Sequence, residues 1–401
     1  MKEILLCKYG EIVLKGANRA FFENLLCKEL KFRADRHGEF SIYRAQSTIY
    51  IEPLNDGADI DGMLAATLKV FGIVGVSRAA VCAKDMEAIK ALAREYIPQF
   101  LDGAKTFKCE AKRSDKSFPL SSPQISAEIG GEILSACPRL RVDVNQPDVV
   151  VRIEIREFGA YLHAGQYKGA GGMPLGSNGR GLLLLSGGID SPVAGWMMAK
   201  RGVKIEALHF ESAPYTSEQA RDKVLDLAGI VAGWAGSIRV HVISLTRLQE
   251  ELKRVCAEDY FTLLLRRCMM RLAERAAKEF SCDALITGES VGQVASQTME
   301  ALNVTNAVVS MPVFRPCIGM DKEEIIQIAR KIDTFATSIL PYADCCTVFT
   351  PRHPRTRPEL AKVEAEEALL DLDALLDEAW ATMYHVNVRP DGTWSFWEKQ
   401  A

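Results

Sequence analysis

The chain has 401 residues, 48% apolar and 25% charged, with a formal net charge of −3. That is the balance of an ordinary globular protein of two or three domains. No apolar run is long enough to cross a bilayer. Glu3 ahead of a short apolar stretch does not read as a signal peptide, so a cytoplasmic location without membrane attachment is expected. The eleven cysteines, odd in number and without C-x-x-C spacing, argue against a disulfide framework or a zinc ribbon and suit a reducing compartment.

Charge is mildly uneven. Residues 1–180 carry 25 Lys+Arg against 22 Asp+Glu, and the remainder 24 against 30, which permits an RNA-facing amino-terminal part. In chain order, strands are expected at 4–8, 41–51, 106–111, 149–155 and 160–164, and helices at 20–36, 60–70, 86–100 and 122–137. This mixture reads as α+β in two small units with a break near residues 53–57. The glycine-rich stretch 168–181 is a loop or linker. It lacks the strand-to-helix spacing of a dinucleotide fingerprint. Beyond it, strands at 182–185, 204–210, 239–245 and 284–287 alternate with helices at 192–201, 217–235 and 259–280, and an acidic amphipathic helix is expected at 358–381. Apolar strands alternating with helices imply an α/β domain with a doubly wound parallel sheet.

The segment 182–191 places an apolar strand directly before Ser186-Gly187-Gly188-Ile189-Asp190-Ser191 and a helix start at Pro192. Ser191 is expected to cap that helix and Pro192 to occupy its first turn. Backbone N–H groups of such a turn, together with the helix N-terminus, hold an anion, and Gly187 and Gly188 allow close approach to phosphate. Asp190 is a candidate Mg²⁺ ligand. The absence of a G-x-x-x-x-G-K-[ST] sequence disfavours a kinase or GTPase.

Two further clusters carry chemistry. Cys345-Cys346 lies between Pro341 and the run containing Arg352, Arg355 and Arg357, and nearby arginines favour a reactive thiolate, which can accept and pass on sulfur as a persulfide. The other nine cysteines read as small buried hydrophobes. Lys105, Lys108, Lys112, Arg113 and Lys116 form a basic stretch interleaved with Phe107 and Phe118, able to contact phosphates and, where exposed, to stack on bases.

The 186–191 unit resembles the pyrophosphate loop of the ATP-pyrophosphatase superfamily. Other stretches resemble the tRNA 4-thiouridine synthetase (tRNA sulfurtransferase) family in the family's own order. These are Lys8-Tyr9-Gly10-Glu11 with Leu14-Lys15-Gly16 and Asn18-Arg19, then 110–119, 287–298, Arg315-Pro316 with 319–322, and 344–349. The resemblance implies a ferredoxin-like domain at 1–58, a THUMP RNA-binding domain at 59–167, the linker 168–181, and a pyrophosphate-loop domain at 182–401. It implies ATP contacts at Leu184, Leu185, Ser186, Gly187, Gly188, Asp190, Ser191, His209, Phe210, Arg266, Gly288 and Gln297, with Mg²⁺ at Asp190 and RNA contacts at Lys108, Lys112, Arg113 and Lys116. These nucleotide positions cluster at the carboxyl ends of strands, where open α/β sheets bind ligands.

The expected chemistry is adenylation of a uridine of tRNA (position 8 in the family), followed by delivery of sulfur from a persulfide on Cys346, with Cys345 as backup or resolving thiol and a cysteine desulfurase as donor. A chain of this length would carry no rhodanese domain, so neither a rhodanese relay nor a role in thiamine thiazole synthesis is expected. Nor is an iron–sulfur cluster, because Cys268 has no C-x-x-C partner. A homodimer is compatible with the sequence. The alternatives are another pyrophosphate-loop enzyme, either an amidating synthetase or a different tRNA thiolase, and a non-catalytic RNA-binding protein.

Overall fold

Residues Ile4, Leu5, Leu6 and Cys7 are consecutive and all buried, the demand placed on a central strand covered on both faces. They form β1 (Glu3–Tyr9) in the computed structural model, which describes residues 1–342, 344–345, 348–349 and 351–397. The chain divides into two compact units, Met1–Pro174 and Leu175–Ala401.

In the first unit β1 is followed by α1 (Arg19–Ala34), β2 (Phe40–Ala45), β3 (Thr48–Pro53), α2 (Ile60–Leu68) and β4 (Ile73–Cys82). β1 pairs antiparallel with both β3 and β4. The expected division at residue 58 cuts this βαββαβ arrangement. Because β4 hydrogen-bonds along the whole of β1, we place residues 60–82 with the first strands. The expected single strand at 41–51 is a hairpin. Its turn residues Gln46 and Ser47 both have positive φ, 48° and 63°, without the glycine or asparagine that announces such a turn.

Next come α3 (Met86–Tyr96), β5 (Thr106–Arg113), α4 (Ser122–Ala136), β6 (Arg141–Val142), β7 (Val149–Ile155), β8 (Ala160–Ala164) and β9 (Tyr167–Lys168). All of these strands join one sheet of order β2-β3-β1-β4-β8-β7-β5-β6, with β9 also on β4. Ile89 and Leu92 of α3 and Ile125 and Ile129 of α4 pack with Phe107, Val151 and Ile153 of its second half. Leu5, Leu26, Ile49 and Met63 do the same for α1 and α2 on its first half.

The second unit contains β10 (Arg180–Leu184), α5 (Asp190–Lys200), β11 (Lys204–Glu211), α6 (Glu218–Ala235), β12 (Ile238–Ser244), α7 (Thr246–Val255), α8 (Phe261–Glu279), β13 (Ala284–Ile286), α9 (Met299–Asn306) and β14 (Val313–Phe314). After these come α10 (Lys322–Lys331), α11 (Phe335–Ser338), α12 (Leu360–Glu367), α13 (Leu372–Ala381), β15 (Tyr384–Val388) and β16 (Trp394–Phe396). The sheet order is β14-β13-β10-β11-β12-β15-β16. The first five strands are parallel, as expected for an α/β domain. β15 and β16 add an antiparallel edge, so the sheet is mixed.

The helix expected at 358–381 is two helices. Asp371 caps the second through Ala374 N, and Glu367 at the end of the first is buried against Arg267 and Arg271 of α8. The glycine-rich stretch is held at both ends. Gly169 N and Gly171 N donate to Val74 O and Ile73 O in the first unit, and Gly176 N and Asn178 N donate to Gly202 O in the second. Among the described residues no helix is long and apolar enough to cross a membrane.

Of the two carboxylates buried among the described residues of the first unit, Glu23 and Glu154, the second is the more enclosed. Glu154 on β7 is 4% exposed. It accepts from Arg156, whose Nη1 also donates to Tyr50 at 2.5 Å, and it lies 3.5 Å from His163 Nε2 and 3.8 Å from Lys8 Nζ. Burial alone would raise its pKa, but His163 and Arg156 outweigh it and bring the carboxyl from 4.5 to about 2. A depressed folded pKa gives stability that is present above the unfolded value and lost as pH falls towards the folded one. The wild-type protein should therefore be more stable than Glu154→Gln at pH 7, and urea unfolding at a series of pH values should show that gap closing below about pH 4.5. A gap independent of pH would contradict the assignment.

Candidate active site

Leu182 and Leu183 are buried in β10, which brings the turn 186–189 to the carboxyl edge of the parallel strands, directly before α5. Two close approaches shape this turn. A Cβ on Gly288, just beyond β13, would lie 2.6 Å from Ser191 N and 2.7 Å from the Asp190 carbonyl carbon. Only glycine therefore lets that segment press against the first turn of α5. A Cβ on Gly187 would lie 2.9 Å from Asp344 Oδ1.

Ser191 is not the expected N-cap, since α5 already begins at Asp190 and Ile189 precedes it without a side-chain cap. Its hydroxyl instead folds back, accepting from Ser186 N at 2.9 Å and lying 3.1 Å from Ser186 Oγ. Ser186 Oγ in turn accepts from Gly188 N at 3.3 Å. Pro192 falls in the first turn as expected, and Gly202, with φ of 87°, follows the end of the helix.

The turn opens on a cleft lined by Leu184, Ser186, Asp190, Ser191, Arg266, Met269, Met270, Thr287, Gly288, Glu289 and Gln297. Seven of the residues singled out in the sequence meet here. Five others are not among the lining residues: Gly187 and Gly188, whose amides donate to Asp344 and Ser186, and Leu185, His209 and Phe210. Leu185 and Phe210 are 3% exposed, and Phe210 belongs to the core beneath the sheet. His209 is buried with Nδ1 3.1 Å from Leu185 O. Burial pushes its pKa down, so it is a neutral side chain holding β10 to β11.

Sequence reasoning missed Met269, Met270 and Thr287, and it missed Glu289, the electrostatic centre of the cleft. Glu289 is 4% exposed. It pairs with Arg266 and accepts from Arg315 Nε at 2.7 Å and Thr287 Oγ1 at 2.8 Å. Burial would raise its pKa, but Arg266 and Arg315 prevail and lower it. Arg266 is thus partly committed within the protein.

Asp190 receives Lys322 Nζ on Oδ1 at 2.6 Å and Gln293 Nε2 on Oδ2 at 2.8 Å. Both partners lie in stretches that carry the family resemblance, 287–298 and 319–322, but neither was given a site role, because each is more than 100 residues from Asp190 in sequence. Among the described residues no group of three or more His, Cys, Asp or Glu is arranged to hold a metal ion. Cys268 is 1% exposed within the core around α8.

Cys346 lies outside the described residues. Its neighbour Cys345 is 6% exposed and packs into the core that includes Leu248 and Phe261, with its carbonyl accepting from Gln249 Nε2 at 2.9 Å. Asp344 Oδ1 accepts from Gly187 N at 2.9 Å, so this loop reaches the 186–191 turn. The expected arginine support differs in detail, since Arg355 is bonded to Asp259 and lies over the Tyr260 ring.

In the first unit Lys112 and Lys116 are exposed. Lys108 pairs with Glu110 at 2.9 Å, and Arg113 Nη1 donates to Phe118 O at 2.6 Å. Phe107 and Phe118 are 0% and 6% exposed and belong to the core, so neither offers a stacking surface. The alternation of β5 turns Phe107 inward while Lys108 and Lys112 share the other face. A groove on that face is lined by Lys8, Glu110, Lys112, Ser122, Ser126, Arg152 and Glu154, among others. Arg152 was not anticipated.

Comparison with known proteins agrees along the chain. A family model described as "Thiamine biosynthesis protein (ThiI)" matches residues 176–372, a THUMP domain model 83–163, and a ThiI ferredoxin-like domain model 4–77. The chain is 50% identical over 381 residues to a probable tRNA sulfurtransferase of Acetivibrio thermocellus, covering 94% of this chain and 97% of the relative. It is 48% identical over 382 residues to one of Alkaliphilus oremlandii, with the same coverage of both chains. A solved 4-thiouridine synthetase, in complex with RNA and with bound ATP, superposes with a TM-score of 0.90 at 35% identity, covering 97% of this chain and all of that one. Domain order, fold and identity over nearly the whole length lead to one conclusion: this chain belongs to the tRNA sulfurtransferase family.

Proposed function

We propose that this chain converts a uridine of tRNA to 4-thiouridine in an ATP-dependent reaction. The observation that carries the reading is the turn 186–191, whose Ser186, Asp190 and Ser191 line a cleft at the start of α5, with Lys322 bonded to Asp190. Its support comes from a 35%-identical 4-thiouridine synthetase solved with RNA and bound ATP.

The amides of Gly187 and Gly188, the hydroxyls of Ser186 and Ser191 and the N-terminus of α5 receive the ATP phosphates. Leu184, Gly288, Arg266 and Gln297 border the rest of the nucleotide. Asp190, whose two carboxylate oxygens accept from Lys322 and Gln293, would hold Mg²⁺ by giving up one of these partners. A single hard carboxylate is the usual protein share for this ion at phosphate sites, and the ion neutralises phosphate charge when bound. Lys322 adds a positive charge at the same end.

Uridine O4 attacks the α-phosphorus, an O4–P bond forms and pyrophosphate leaves. The adenylate makes O4 a good leaving group. The terminal sulfur of a persulfide on Cys346 then attacks C4 and AMP departs with O4. This leaves a disulfide between Cys346 and the new sulfur, which a second thiol cleaves. Cys345 is the nearest candidate for that thiol, and an external dithiol restores the pair. A cysteine desulfurase supplies the persulfide. The groove containing Lys8, Lys112 and Arg152 contacts tRNA phosphates, with Lys108, Arg113 and Lys116 at its margin.

Two substitutions separate the half-reactions. Cys346→Ser should retain tRNA-dependent pyrophosphate release while losing 4-thiouridine by about 100-fold or more, read by nucleoside mass spectrometry. Normal 4-thiouridine in that variant would reject Cys346 as carrier. Asp190→Ala should lose both readouts by about 100-fold. Retained pyrophosphate release would remove Asp190 from the phosphate site.

For the groove, Lys112→Ala combined with Arg152→Ala should weaken tRNA binding and lower the salt-dependence slope by about one per phosphate contact removed. Filter binding across a salt series measures both, and an unchanged slope would contradict the assignment.

A further inference from the structure

The Asp190 carboxylate is held through both of its oxygens, and the two partners differ in chemistry. Lys322 Nζ donates to Oδ1 at 2.6 Å and Gln293 Nε2 to Oδ2 at 2.8 Å. The Lys322 side chain is 43% exposed and carries a compact point charge on a flexible stem. Gln293 offers a neutral amide from a half-buried position.

The turn that carries Gln293 is braced on two sides. Gly292, with φ of 77°, donates from its N to Gln297 O at 2.9 Å, and Gln293 N donates to Ser290 O at 3.4 Å. Ser290 Oγ donates to Met320 O at 2.8 Å and Val291 N to Ile318 O at 3.1 Å. Gln297 itself lines the nucleotide cleft. A carboxylate only accepts, so the amide must face Asp190 with its N–H groups. Its carbonyl Oε1 is then buried without a hydrogen-bond partner among the described residues. A buried acceptor left in that way is unfavourable. The braced turn imposes the orientation all the same, and what it secures is the direction of the Asp190 carboxylate.

We propose that Gln293 is a positioning residue of the metal site, which keeps hold of Asp190 Oδ2 while Lys322 yields Oδ1 to Mg²⁺. An ammonium and a metal ion carry like charge and compete for one oxygen, so both cannot stay on it. The amide is neutral and sits on the other oxygen, where it neither competes with the ion nor repels it. Outer partners of this kind fix the direction of a ligating carboxylate and raise metal affinity. The inference deepens the proposed function and rests on its reading of Asp190 as the Mg²⁺ ligand.

Mn²⁺ is the probe, because the free ion is counted by electron paramagnetic resonance. The full chain, saturated with a non-hydrolysable ATP analogue, is titrated with Mn²⁺, and the affinity is compared with that of the analogue alone. Gln293→Leu should weaken Mn²⁺ binding by about 10-fold or more, and Gln293→Asn, which keeps the amide on a shorter stem, should fall between. Lys322→Met removes the competing ammonium and should bind Mn²⁺ at least as tightly as the wild type. The Mg²⁺ concentration that half-saturates pyrophosphate release should rise in Gln293→Leu by a factor similar to the loss in Mn²⁺ affinity.

A merely structural role for Gln293 would show as an equal loss of AMP binding measured by calorimetry in EDTA, and that result would overturn the proposal. Equal weakening of Mn²⁺ binding by Lys322→Met and Gln293→Leu would overturn the division of roles between them. Wild-type Mn²⁺ affinity in Gln293→Leu, with affinity lost in Asp190→Ala, would overturn the inference and leave Asp190 as the ligand. Wild-type affinity in Asp190→Ala would remove Asp190 from the metal site, and the inference would fall with it.

Discussion

The approach of Gly288 to the first turn of α5 is the contact on which the site depends. With 2.6 Å between a hypothetical Cβ and Ser191 N, no side chain can stand between β13 and the helix N-terminus. The carboxyl ends of β10 and β13 are therefore drawn together around the start of α5. The 186–189 turn must then satisfy its amides locally or leave them for a ligand. Ser191 and Ser186 take some of them internally, and Gly187 faces outward to Asp344. Phosphate chemistry follows from that geometry, because outward amides at a helix N-terminus favour anions.

Two buried carboxylates serve the two units in the same way. Glu289 draws Arg266, Arg315 and Thr287 together at the wall of the nucleotide cleft. Glu154 gathers Arg156, His163 and Lys8 beneath the basic groove. In each case a desolvated carboxylate is kept ionised by arginine, Arg266 and Arg315 for Glu289 and Arg156 for Glu154, with His163 adding a hydrogen bond to Glu154, an arrangement that is costly to break by removing one partner. The cations are thereby fixed in direction. Arg266, which the sequence suggested as a nucleotide contact, spends part of its hydrogen-bonding capacity on Glu289.

Much of this was legible in the sequence. The strand before Ser186, the glycine pair and the helix after Asp190 are local features written in consecutive residues, and they appear where expected. What escaped was either non-local or locally unmarked. Asp344 meets Gly187, Lys322 meets Asp190 and Arg315 meets Glu289 across spans that no local pattern encodes. The Gln46-Ser47 turn adopts positive φ without glycine. β15 offers only Val386 and Val388 as fully buried positions, too short an alternation to stand out. Phe107 and Phe118 looked available for bases because a basic stretch surrounds them, yet strand alternation and core packing turn them inward.

The central claim is that ATP activates the very oxygen that sulfur replaces. Transfer RNA whose target uridine carries ¹⁸O at O4, incubated with the protein, ATP and a persulfide source, tests it directly by mass spectrometry of the released AMP. The account predicts one heavy oxygen in each AMP formed, with 4-thiouridine appearing in equal amount. Unlabelled AMP alongside 4-thiouridine would contradict it.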